Sequence, residues 1–249
     1  MVKKFFAELV ATMILVLVGC GCAMSLGCAD SAGVVGVAAA FGLSILMLAY
    51  TVGPISGGHA NPAVSFAKAL NKEITWKEFA VYCCAQVLGA AVGCVLLGLV
   101  MWAFNSGNFG QNGLMMEAAM TARNSTDPTD GGVLGMAVML STMAEIGLTF
   151  LFVFTVLGVT NKKEWSNVAG IIIGLALFGV HLVGIRLTGV SVNPARGLVP
   201  LIFSMFNGVD VTYKALSLIP AVVGPFLGAF VAATAYKGFF GKKNSEANA

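Results

Sequence analysis

Two copies of one tripeptide, Asn61-Pro62-Ala63 and Asn193-Pro194-Ala195, stand 132 residues apart in an otherwise apolar chain. Asparagine is a strong helix N-cap and proline fits the first helical turn, so each copy marks a helix start. The apolar pieces that follow, about 61–70 and 193–205, are too short to cross a bilayer, which takes about 20 residues. Each tripeptide is preceded by a non-helical stretch, Gly57-Gly58-His59-Ala60 and Gly189-Val190-Ser191-Val192. Backbone of that kind is tolerated at membrane depth only against protein or a wet cavity. Both stretches therefore read as lines of carbonyls facing a water-filled pore, with Gly57, Gly58 and Gly189 allowing the unusual backbone angles.

Half-helices that start in mid-membrane bring positive poles of roughly +0.5 elementary charge to the centre. Such a centre repels cations, hydronium included. The amides of Asn61 and Asn193 can donate to the oxygen of a passing water, which then turns its own hydrogens outward and interrupts a proton wire. That chemistry points to passage of neutral, hydrogen-bonding solutes without protons.

The elements that must hold these pieces are legible in composition. Of 249 residues, 58% are hydrophobic and 10% charged, with a mean hydropathy of +0.90; soluble proteins carry about 25% charged residues. Apolar stretches long enough to span recur near 5–26, 33–53, 79–104, 133–159, 167–186 and 215–238. The first follows Lys3 and Lys4, but it is longer than a signal-peptide core and carries Glu8, so a retained helix is expected.

With the N-terminus inside, Lys3, Lys4, Lys68, Lys72, Lys77, Lys162, Lys163, Lys237, Lys242 and Lys243 all fall at the inner face. Arg123, Arg186, Arg196 and Lys214 fall toward the outer face, with Asp30, Glu117, Asp127, Asp130 and Asp210. That bias predicts a multi-pass protein of the plasma membrane (the inner membrane in a bacterium) with both termini cytoplasmic. The lipid bilayer is the expected partner; no basic patch interleaved with aromatics suggests nucleic acid. Cys20, Cys22, Cys28, Cys83, Cys84 and Cys94 lack metal-site or disulfide-framework spacing and read as free thiols, so neither metal nor cofactor is expected. No nucleotide-binding loop or nucleophile–base pair argues for an enzyme.

The two halves of the chain match in order: Ala7-Glu8 with Ala144-Glu145, Gly42-Leu43 with Gly174-Leu175, the two Asn-Pro-Ala motifs, and Gly89 with Gly228. Each copy holds three spans, an odd number, so the second must enter from the opposite side, as in many transport proteins. The expected fold is an all-α membrane protein of six transmembrane helices plus two re-entrant half-helices in an inverted repeat. One domain covers 1–249: repeat 1 at about 1–105, an extracellular linker at about 106–132, repeat 2 at about 133–240 and a disordered tail at 241–249.

Ser56-Gly57-Gly58-His59-Ala60-Asn61-Pro62-Ala63-Val64 and Ser191-Val192-Asn193-Pro194-Ala195-Arg196 resemble the signature loops of the aquaporin (major intrinsic protein) family. The similarity spans nearly the whole chain, Gln86 included, and is nearest to the bacterial, aquaporin Z-like branch. It implies the aquaporin fold, one pore per subunit, water as permeant and a homotetramer. It also implies a constriction of Phe41, His181, Val190 and Arg196, and the Phe41–His181 pairing is that of water-selective members. Glycerol-conducting members typically carry aspartate after the arginine, where this chain has Gly197. Two departures stand out. Val190 occupies a place often held by threonine or cysteine, and Ala60 replaces a bulkier residue.

Glu8 and Glu145, the carboxylates inside spans, read either as coupling sites of a transporter or as scaffold accepting hydrogen bonds from the half-helix loops. Their equivalent placement in the two repeats favours scaffold. His59 reads as orienting the first loop or gating the inner mouth, with orientation favoured, Arg186 as lying at the outer mouth, and Asn124-Ser125-Thr126 as a glycosylation sequon, meaningful only in a eukaryotic secretory pathway. The leading expectation is a passive water channel. A facilitator of glycerol-like solutes and a coupled secondary transporter are the alternatives.

Overall fold

A computed structural model of the chain describes residues 1–101, 109–206 and 211–240. Among the described residues the regular structure is helical, and six helices are long and apolar enough to cross a membrane. The first span joins α1 (Val2–Leu15), a π-helical turn (Val16–Cys20) and α2 (Gly21–Leu26). The second is α3 (Ser31–Thr51), followed by the single turn α4 (Gly53–Ser56), the half-helix α5 (Pro62–Leu70) and the third span α6 (Trp76–Met101). After a short α7 (Met116–Arg123) come α8 (Gly131–Thr160), α9 (Ala169–Thr188) and the second half-helix α10 (Pro194–Met205). The sixth span comprises α11 (Val211–Leu218), a π-helical turn (Ile219–Val223) and α12 (Gly224–Phe240).

All six expected spans and both half-helices are present, with ends shifted by up to a few residues. The expected loop at 106–132 differs: within it α7 packs onto α8 through Ala119, Val133 and Ala137. Its polar composition hides this helix, because only one narrow face is buried. The tail 241–249, with Lys242 and Lys243, and Asp210 lie outside the described residues.

The repeat glycines sit where helices cross. A Cβ on Gly89 would lie 2.2 Å from the carbonyl oxygen of Leu9, and one on Gly228 would lie 2.5 Å from that of Ile146. These contacts close α1 on α6 and α8 on α12 in the same manner. At the third crossing, Cβ atoms on Gly42 or Gly174 would each meet the other's carbonyl oxygen at 2.8 Å. Backbones this close allow no side chain between them. Small residues at contacts are how membrane helices gain close packing, since lipid supplies no hydrophobic drive for association.

Candidate functional site

The half-helices meet by their N-termini. Asn61 and Asn193 each cap their own helix, Oδ1 accepting from the amides of Ala63 (2.8 Å) and Ala195 (3.1 Å). Their Nδ2 groups reach across the centre: Asn61 donates to the carbonyl of Val192 (2.8 Å) and Asn193 to that of Ala60 (2.7 Å). Each amide thus spends one N–H on the opposite half and keeps a second N–H. This cross-bridge was not legible in the sequence, where both amides read as donors to a permeant alone.

Both carbonyl stretches are tied back by their N–H edges to a buried carboxylate. Glu8 accepts from the Ser56 hydroxyl (2.7 Å), the amides of His59 (2.9 Å) and Ala60 (2.8 Å), and Gln86 Nε2 (2.7 Å). Glu145 accepts from the Thr188 hydroxyl (2.6 Å) and the amides of Ser191 (2.8 Å) and Val192 (2.9 Å). Ser56 and Thr188 in turn take the amides of Gly58 and Val190. The loop donors repeat at an offset of 132, Ser56 with Thr188, His59 with Ser191 and Ala60 with Val192, while the two carboxylates stand 137 apart. With the N–H groups turned outward, the carbonyls face the other way. The Ala60 and Val192 carbonyls receive the asparagines, and the Gly189 carbonyl receives Arg196 at 3.2 Å. No described hydrogen bond ends on the carbonyls of Gly57, Gly58, His59, Val190 or Ser191.

This ribbon geometry needs left-handed backbone at three places in each copy: Gly57, Gly58 and Ala60 at φ 93°, 59° and 50°, and Gly189, Val190 and Val192 at 75°, 55° and 42°. The sequence reading assigned the unusual angles to glycines alone. Valine in this region costs on the order of 1–3 kcal/mol and persists only where surroundings impose it. Here the hydrogen bonds to Glu145 and Thr188 impose it.

Three voids lie in series along this ribbon. One of about 530 Å³, on the face where α1 begins and α12 ends, is lined by Tyr50, Gly57, Gly58, His59, Lys68, Asn167 and neighbours. One of about 300 Å³ on the opposite face is lined by Cys28, Val37, Gly110, Gln111, Gly189, Arg196 and others. Between them lies a neck of about 10 Å³, sharing His59 with the first void and Arg196 with the second. By this measure a single water needs about 10–15 Å³. The neck therefore has room for about one water. Phe41, Asn61, His181, Val192 and Asn193 line it; Val190, expected in the constriction, is fully buried against Gly184 and is not among the lining residues of the three voids.

Besides the second N–H of each asparagine, the neck presents one acceptor and one donor without protein partners. His181 Nδ1 lies 2.8 Å from the Leu177 carbonyl, which can only accept, so Nδ1 carries the hydrogen and Nε2 of the neutral ring is an acceptor. That Nε2 is buried and unpartnered, as is Nε of Arg196. The Phe41 and His181 rings stack at 4.2 Å, and the Arg196 guanidinium lies 5.0 Å from the Phe41 centroid. Most of the guanidinium is already engaged: Nη1 donates to Asn112 Oδ1 (2.7 Å) and Nη2 to the carbonyls of Gly110 (2.8 Å) and Gly189. His59 Nδ1 is 3.0 Å from Ser65 Oγ, so the imidazole is braced against α5.

Residues 1–236 match the family described as major intrinsic protein. The chain belongs to that family. A protein named Aquaporin Z from Brucella melitensis is 36% identical over 244 residues, spanning 97% of this chain and 100% of that protein. An Aquaporin Z from Rhodopseudomonas palustris is 38% identical over 203 residues, 81% of this chain and 80% of that one. The crystal structure of the aquaglyceroporin from Plasmodium falciparum covers 94% of this chain and 95% of its own, with a TM-score of 0.72 at 20% identity, a likeness of fold.

In this major intrinsic protein the sequence reading missed several supporting residues. Ser56 and Thr188 were detectable, since they are hydroxyl residues at the same offset as the motifs. Tyr82, whose hydroxyl donates to the Ser56 carbonyl (2.7 Å), and Asn112 carry no such signal, and only the fold brings them in. Gly197 acquires a packing reason. A Cβ there would sit 2.3 Å from Ser191 Oγ and 2.6 Å from the Ala221 carbonyl, so residue 197 has no room for a side chain. Ser191 donates to that carbonyl (2.6 Å), whose regular partner one turn on would be the amide of residue 225, a proline with no N–H. Arg186 is exposed and lines a separate surface cleft with Glu117. Asn124 is exposed after α7 at φ 48°. Cys20 and Cys94 are buried and Cys84 is exposed; all six cysteines are free.

Proposed function

We propose that this chain is a passive water channel that excludes protons and ions. The observation that carries the reading is a one-water neck between two open vestibules, walled by apolar groups and by polar groups that lack protein partners. Water can accept from Arg196 Nε and donate to His181 Nε2, then pass along the carbonyls of residues 57–60 and 189–192. At the centre the free N–H of Asn61 and Asn193 and the two half-helix poles orient it and oppose a cation. The relatives named Aquaporin Z support the same reading. Glu8 and Glu145 have their oxygens occupied by loop donors, which favours scaffold over ion coupling. Lys3, Lys4, Lys72, Lys77, Lys162 and Lys237 favour a cytoplasmic face at the termini.

A glycerol-type facilitator is the second reading, raised by the sequence departures at Val190 and Ala60, though neither residue is among those lining the described voids. The packed surroundings of Gly197 and the stacked Phe41–His181 pair oppose it. Light scattering of proteoliposomes challenged first with sucrose and then with glycerol decides between them. We expect fast water efflux and glycerol entry near that of empty vesicles. Water flow no faster than in empty vesicles would remove the channel reading, and fast glycerol entry would move it to the second. Arg196→Val should raise proton leak while water still flows.

A further inference from the structure

The half-helices hold each other at their asparagine ends, and their far ends are each met by an ammonium group from the sixth span. Lys237 Nζ, near the end of α12, donates to the carbonyl of Leu70, the last residue of α5. Lys214 Nζ, in α11, donates to the carbonyl of Ser204 (2.8 Å), in the last turn of α10. The last carbonyls of a helix have no partner within it and form its negative pole. One span, Val211–Phe240, therefore sets a cation on each negative pole, at opposite faces of the membrane.

Holding the helix ends explains a hydrogen-bond donor at these places; it does not explain a charge. Lys214 is only 4% exposed and forms no ion pair among the described residues. Burying a charge is costly, and a neutral amide would satisfy one carbonyl at less cost. Lys68, also in the last turn of α5, differs, since Glu73 neutralises it.

We propose that Lys214, and more weakly Lys237, set the cation barrier at the pore centre from the far ends of the half-helices; the inference rests on the proton-excluding channel reading. The field at a helix N-terminus is that of its near positive pole less that of its far negative pole. A cation on the far pole cancels the second contribution and adds its own. The 12 residues of α10 place Lys214 about 18 Å from the centre at ~1.5 Å per residue. At an effective dielectric of about 20, a unit charge at that distance slows passage of a cation about fivefold. Lys237 is exposed, so salt screens its share. Water carries no net charge and its flux is unaffected to first order.

The test uses liposomes holding the full chain with Arg196→Val, so that leak is measurable, and compares Lys214→Gln, Lys214→Arg and Lys237→Gln on that background. Water flux is read by light scattering and proton flux by an internal pH dye at clamped potential. We expect unchanged water flux in all, an approximately fivefold rise in proton leak for Lys214→Gln, and restoration in Lys214→Arg. Lys237→Gln, at an exposed site that does not put folding at risk, should give a smaller rise that vanishes in high salt. Intact water flux with unchanged leak in Lys214→Gln overturns the inference alone, as does equal leak in Lys214→Gln and Lys214→Arg. If Lys214→Gln does not fold, Lys237→Gln decides, and no rise at low salt overturns it. Absence of water flux in the unsubstituted protein overturns the channel reading, and this inference with it.

Discussion

Glu8 shows how one side chain can shape a pore it does not line. Its two oxygens accept four hydrogen bonds, from the Ser56 hydroxyl, the His59 and Ala60 amides and Gln86. Bonds to a charged acceptor contribute about 1.5–3 kcal/mol each. In Glu8→Gln one oxygen becomes a donor that faces other donors, so at least one bond is lost and one N–H is left buried. We expect a destabilisation of about 3 kcal/mol or more, seen as lower folded yield and a lower unfolding temperature in detergent. Flux per folded molecule should keep the pH dependence of the parent. An altered pH profile at normal yield would instead make Glu8 a coupling group. The residue scale is also where sequence reading was least complete: Asn112, 84 positions from Arg196, holds its guanidinium, and nothing local announces that.

At the scale of elements, the inverted repeat is a set of matched crossings. Gly89 against Leu9 and Gly228 against Ile146 bring α1 to α6 and α8 to α12 so close that a Cβ would lie 2.2 and 2.5 Å from the facing carbonyl oxygen. Gly89→Val would place a branched side chain where the free gap is 2.2 Å from a carbonyl oxygen. Overpacking of this kind costs about 1–3 kcal/mol, and more where backbone must move. Unfolding temperature should fall for Gly89→Val and Gly228→Val. It should stay level for Gly158→Ala, where a Cβ meets nothing within 4 Å. An unchanged unfolding temperature in both valine variants would show that these crossings are not tight in the membrane. The short α7 is the element that hydrophobic patterning passed over, because an eight-residue helix with one buried position leaves no periodic signal.

For the whole molecule, the single chain holds all three voids and still leaves large apolar side chains outward, Leu43 and Met47 on α3 and Leu175 and Val183 on α9 among them. Lipid can cover such faces, and so can other copies of the chain; the family resemblance implies four. Purified protein in mild detergent should then run with the mass of four 25.7 kDa chains once bound detergent is subtracted. A monomer mass at working concentration would remove the tetramer while leaving the pore intact.

Composition and the two offset motifs determined the class, the six spans, the two half-helices and the inverted repeat. These follow from local rules: a bilayer demands about 20 apolar residues per span, and an Asn-Pro start is a helix start wherever it falls. Glu8, Glu145, Asn61, Asn193 and Arg196 were legible too, because polar groups in an apolar chain stand out. What tertiary structure alone decided is how those groups are used. It turned the asparagine amides partly onto each other's loops, gave Val190 and Val192 left-handed backbone, engaged most of Arg196 with residues 110–112, and left His181 Nε2 and Arg196 Nε without protein partners at a neck with room for about one water. The physical reason is that hydrogen-bond satisfaction in the membrane interior is a matter of distance in three dimensions. Sequence shows which groups need partners, and only the packed helices show which partners they find.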